Sequence, residues 1–71
     1  MANKKGVELP NLRPVRKSLG WTQKRLAEEA GVEISTIWRI EKGHSGAGGS
    51  TLAVLCSLLN VSPQALQKNM H

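Results

Sequence analysis

Residues Gln23–Lys42 read QKRLAEEAGVEISTIWRIEK, and the organisation of the chain turns on them. Two short amphipathic patterns meet at Gly31-Val32. In the first, Leu26, Ala27 and Ala30 fall on one side at helical spacing, and Lys24, Glu28 and Glu29 point the other way. In the second, Ile37 and Ile40 share a side with Glu33 near them, and Ser35, Arg39 and Lys42 fall opposite. Ile34 and Trp38, four apart, form an apolar shoulder beside that polar stripe, and Thr36 flanks its other edge. A helix pinned by one face in this way presents the other.

The flanking residues supply helix ends. Thr22 suits an N-cap, with Trp21 and Leu26 at the positions of a hydrophobic staple; Arg25 stands where a capping box needs Glu or Gln. Upstream, Asn11 is an N-cap candidate that places Pro14 in a first turn, where a missing N–H costs nothing. A helix is expected from about Leu12 to Leu19, with Leu12, Val15 and Leu19 on one face, ended by a left-handed Gly20. Downstream, GHSGAGGS at 43–50 is a loop by composition. It has no Walker-type Lys and no preceding strand, which argues against a nucleotide site.

Thr51 or Ser50 then caps a fourth helix, TLAVLCSLL. Leu52, Leu55, Cys56 and Leu59 face one way; Ala53, Val54 and Ser57 face the other, with Leu58 at the edge. A helix apolar nearly all round is usually buried on both sides, and in so small a domain the second cover can be another subunit. Asn60 ends it. Ser62-Pro63 opens a short fifth helix to about Lys68 as N-cap and N1, with Val61 and Leu66 at staple spacing.

Seventy-one residues allow one domain, and such a chain buries only ~60% of its unfolded surface. The lone Cys56 precludes an intrachain disulfide and reads as core. His44 and His71 have no metal-ligand spacing with anything, so no metal or cofactor is expected. No paired nucleophile and base is visible, which argues against an enzyme. No apolar run approaches the ~20 residues that span a bilayer, and Met1–Leu9 lacks the apolar core of a signal peptide. Residues 1–10 read as a basic, flexible arm holding Lys4 and Lys5, residues 11–68 as the folded domain, and 69–71 as a frayed tail. The net charge of +5 suggests a polyanionic partner. All charges but Lys68 lie in residues 1–42, and residues 46–67 carry none. The two halves are expected to face different partners.

Taken together, Arg16, Gly20, the WTQxxLAxxAGV run at Trp21–Val32, STIxRIExG at Ser35–Gly43 and the LxxL…LNVSPxxL ending give the chain its likeness. From Leu12 to about Leu66 it resembles the lambda-repressor-like, or Xre-type, helix-turn-helix regulators. The resemblance implies an all-α fold, a compact five-helix DNA-binding domain whose helices 2 and 3 form the helix-turn-helix. The second helix would cross the DNA backbone and the third, about 34–42, would enter the major groove. By position, Gln23 matches an anchor to phosphate or to an outer base. Ile34, Ser35, Thr36 and Arg39 match the variable base-meeting positions, and Arg16 and Glu41 match an internal ion pair. Four departures bear on the target sequence: Ile34 stands where a polar reader is frequent, Glu33 replaces the usual Ser or Thr cap, Trp38 is bulky for a position normally exposed near DNA, and the loop lacks the usual Pro before the fourth helix.

The expected partner is double-stranded DNA, bound at a palindromic operator by a cytoplasmic homodimer, with transcription repression or autoregulation as the role. Phosphate contacts are expected from Thr22, Lys24, Arg25, Lys42, His44 and Ser45. Ala53, Val54 and Leu58 are the candidate dimer patch, with Ile34 and Trp38 as a rival. Trp38 itself stays open between packing near DNA, a dimer contact and plain exposure. An alternative is an antitoxin that also binds a toxin protein through its uncharged half; a scaffold for protein contacts without DNA fits the basic stripe less well.

Overall fold

Glycine in a left-handed conformation closes each of the first three helices. The structure, a computed structural model, describes residues 6–68. Helix α1 spans Leu12–Ser18, α2 Gln23–Ala30, α3 Ile34–Lys42, α4 Gly49–Leu59 and α5 Pro63–Gln67. Gly20, Gly31 and Gly43 have φ of 75°, 72° and 80°, a region that strains any residue with a Cβ. After each, the next N–H returns to an orphan carbonyl of the last turn: Trp21 to Arg16, Val32 to Ala27 and His44 to Arg39. Helix α4 closes on Asn60 at φ 57°. These stops are local and keep α1, α2 and α3 short.

The helix starts follow the sequence less closely. Thr22 Oγ1 accepts the Arg25 N–H at 3.0 Å, and Ser62 Oγ accepts that of Ala65 at 3.3 Å, with Pro63 next in the chain. Asn11 stands at the N-cap of α1, but its side chain does not cap. Its φ and ψ of −96° and 5° are not extended, so the amide turns away from the helix. Nδ2 donates instead to Ala65 O at 2.7 Å, and the backbone N–H to Leu66 O at 3.0 Å, tying α1 to α5. Helix α4 begins at Gly49 behind an extended Gly48, ahead of the Ser50 or Thr51 cap that composition suggests. Leu52 N–H finds Gly48 O at 2.8 Å, so the backbone starts the helix without a side-chain cap.

The core is Leu9, Leu12, Leu26, Ala27, Ile37, Ile40, Ala47, Leu55, Leu59 and Leu66. Helix α2 packs on α3 and α4, α1 on α3 and α5, and α4 on α5. The inward side of α1 is Leu12 and Arg16, whereas Leu19 is 48% exposed. Of the side expected to carry Leu12, Val15 and Leu19, Leu12 is buried and Val15 packs against the core, and only Leu19 falls outside. The physical reason is that Leu19 lies past the helix end, and Arg16 takes a place on the inward side to meet Glu41.

Residues 6–10, expected to belong to a flexible arm, pack onto the bundle. Val7 and Ala47 exchange N–H···O bonds of 2.8 Å in an isolated antiparallel bridge, and Leu9 is 1% exposed. Two glycines permit this approach. A Cβ at Gly46 would lie 2.7 Å from the Gly6 carbonyl carbon, and one at Gly6 would collide with the Ala47 carbonyl. The packed unit thus reaches at least residue 6, where the sequence set its edge at 11. Lys4, Lys5 and the expected tail at 69–71 lie outside the described residues.

Candidate nucleic-acid interface

Helix α3 is held by Ile37 and Ile40, both buried, and turns its other side outward. Arg39 is exposed, and no described residue pairs with its guanidinium. Ser35 is half-buried, with Oγ donating to the Glu33 carboxylate at 3.5 Å, a long and weak bond. Thr36 is half-buried. Ile34 and Trp38 are 49% and 44% exposed. The Trp38 ring stacks on His44 at 5.5 Å and 17°, and Lys42 Nζ lies 5.9 Å from its centroid. Trp38 is thereby braced by its own helix end rather than by the core.

An open cleft of about 570 Å³ separates this helix from α1 and the start of α2. Arg13, Thr22, Gln23 and Lys24 line one wall; Ile34, Trp38 and Lys42 line the other. Arg16 and Glu41 also line it, although their side chains are only 8% and 2% exposed. Arg16 Nε donates to Glu41 Oε2 at 2.6 Å and its Nη2 to Oε1 at 3.0 Å, a fork meeting a carboxylate in two places. The remaining arm, Nη1, donates to Trp21 O at 2.6 Å. Gln23 Nε2 adds a further bond to Glu41 Oε1 at 3.0 Å. One carboxylate on α3 thus fixes α1 and the entry to α2, which sets the angle between the helices of the turn. Burial of the pair takes both ions from water, and the added hydrogen bonds offset that cost.

The structure gathers Thr22, Gln23, Lys24, Ile34 and Lys42 around this cleft. Ser35, Thr36 and Arg39 lie outside it on α3. Arg25 also lies outside, with its guanidinium 4.2 Å over the Trp21 ring in a cation–π contact. His44 and Ser45 follow the end of α3, His44 on Trp38 and Ser45 half-buried. Arg13 is the cleft cation that sequence reading did not single out. Its signal was present: it precedes Arg16 by three residues on α1, and such pairs share a helix side. On α4, Ala53 and Val54 are exposed, while Leu58 is half-buried and packs on the core. That patch is separate from the cleft. Among the described residues no helix is long and apolar enough to cross a membrane, and no group of three or more His, Cys, Asp or Glu could hold a metal ion.

A short α2 capped by Thr22, a left-handed glycine turn and an α3 with one face free form a helix-turn-helix bordered by cations. The helix-turn-helix family model matches residues 12–66. The chain belongs to the lambda-repressor-like, Xre-type helix-turn-helix family. Members of that family are DNA-binding regulators of transcription, and this chain is one.

Among solved structures, the lambda-repressor-like domain is similar to the restriction-modification controller protein C.AhdI from Aeromonas hydrophila. Identity is 26%, the match covers 80% of this chain and 86% of that one, and the TM-score is 0.75. It is also similar to SinR, a master regulator for biofilm formation solved in complex with DNA. There identity is 28%, coverage 83% and 95%, and the TM-score 0.76. The N-terminal DNA-binding domain of SinR from Bacillus subtilis matches at 30% identity, covering 84% and 88%, with a TM-score of 0.74. No curated protein sequence matches the chain.

Proposed function

We propose that this regulator is sequence-specific, that it represses or autoregulates transcription, and that it binds a palindromic operator as a dimer with α3 in the major groove. The observation that carries the reading is Arg39: exposed and unpaired by any described residue, on a helix whose opposite side is locked by Ile37 and Ile40. Its fork suits guanine O6 and N7. Ser35 and Thr36 are the neighbouring polar readers, Ile34 can meet a thymine methyl, and Gln23 reaches an outer base or a phosphate. Thr22 with the start of α2, Lys24 and Lys42, joined by Arg13, contact phosphates from the cleft walls. Arg25, His44 and Ser45 do so from outside the cleft. The likeness to C.AhdI, a controller protein, and to SinR, solved on DNA, supports the same direction.

A single α3 reads too few base pairs to select an operator, so two copies bind half-sites about one helical turn, ~34 Å, apart. The α4 patch of Ala53, Val54 and Leu58 serves as the interface. It lies in an uncharged stretch of a chain that carries +5, so two copies meet there without like-charge repulsion. Selection of binding sequences from random DNA at graded salt tests the whole reading. The expected result is one palindromic motif whose affinity falls linearly on a log–log salt plot. A selected pool with no preferred sequence would overturn it.

A further inference from the structure

The amide of Gln23 is oriented by the protein before any DNA arrives. Only its nitrogen can donate to a carboxylate, and that nitrogen lies 3.0 Å from Glu41 Oε1. A flipped amide would bring two acceptors together at that distance. Glu41 cannot turn away, because Arg16 grips both of its oxygens and its side chain is 2% exposed. One Gln23 N–H is therefore spent, leaving the carbonyl oxygen and a single N–H for whatever enters the cleft that Gln23 lines.

That remainder discriminates between the two partners open to this position. A phosphate is acceptor-only, so it would use the one N–H and leave the Gln23 carbonyl against an anion. Adenine offers an N6 donor beside an N7 acceptor in the major groove and uses both groups; cytosine N4 uses the carbonyl alone. Guanine O6/N7 and thymine O4 present acceptors to it. We propose that Gln23 is a base reader that prefers adenine at an outer position of each half-site, with Glu41 as the positioning residue that sets its amide. This rests on the proposed function above and narrows it.

The test compares operator selection by wild type and Gln23→Ala. The substitution leaves Arg16 on both Glu41 oxygens, so the fold is retained. The variant should lose preference at one base pair per half-site, by about 5- to 150-fold, and keep every other position. Replacing the adenine there by purine, which lacks the 6-amino group, should weaken wild type but not Gln23→Ala. Glu41→Gln should spread the preference at that pair more than at any other, since its amide accepts or donates. If that variant does not fold, Glu41→Asp keeps the charge for Arg16 and withdraws the oxygen from Gln23, with the same expected readout. A uniform loss on all sequences in Gln23→Ala, with a salt slope lower by about one, would assign Gln23 to phosphate instead. Unchanged preferences in Gln23→Ala would also overturn the inference. Wild type without any preferred sequence would sink the functional reading itself, so the two failures are distinguishable.

Discussion

The chain through His44 and the chain after it leave opposite things unfinished. In the first part, the buried polar groups Arg16 and Glu41 are satisfied by each other, and the exposed cations Arg39 and Lys24 have no anion among the described residues. In the second part no residue from 46 to 67 is charged, and helix α4 leaves apolar Val54 38% exposed beside Ala53. An unanswered cation seeks an anion over a distance set by salt, whereas an uncovered apolar side chain gains only by direct contact. The same small bundle thus carries a long-range attraction for DNA on one side and a short-range contact surface on another. The two parts are joined by α2 on α4, by Asn11 on α5, and at a seam where Val7 pairs with Ala47 and Gly6 faces Gly46.

Each side of this contrast can be broken separately. The largest effect is expected from Glu41→Ala, which strands Arg16 as a buried unpaired cation; denaturant titration should show a loss of ~3–5 kcal/mol. A loss below ~1 kcal/mol would mean that the pair is not what joins α1 to α3. Val54→Glu should turn the proposed dimer into monomer by sedimentation, because it sets an unpaired carboxylate in an apolar contact, while thermal stability of the monomer holds. A dimer that persists would exclude the α4 patch and favour Ile34 with Trp38.

The seam gives the next effect. Gly46→Ala places a methyl 2.7 Å from backbone that cannot yield, and should cost ~1–3 kcal/mol. Equal stability in wild type and Gly46→Ala would show that the Val7–Ala47 bridge adds nothing. The smallest changes sharpen the charged side. Arg39→Ala should cost ~1–3 kcal/mol on operator DNA and little on random DNA. Lys24→Ala should weaken both alike and lower the salt slope by about one. Identical behaviour of these two variants would remove the distinction between reading and holding.

Local signals in the sequence determined much of this protein. The glycine stops at Gly20 and Gly31, the Thr22 and Ser62 caps, Pro63 at N1 and the inward pairs Leu26 with Ala27 and Ile37 with Ile40 depend on neighbours a turn away, and all were legible from spacing. Family resemblance placed Arg16 opposite Glu41, a pairing of residues 25 apart that periodicity alone does not reveal. Tertiary structure decided the rest, for one physical reason: each case is a choice among partners distant in sequence. Asn11 could cap its own helix or bond to α5, and it bonds to α5. Leu9 read as part of an arm until the Gly6–Gly46 approach drew it into the core. Gln23 could have turned its amide either way, and the position of Glu41 set which end faces outward.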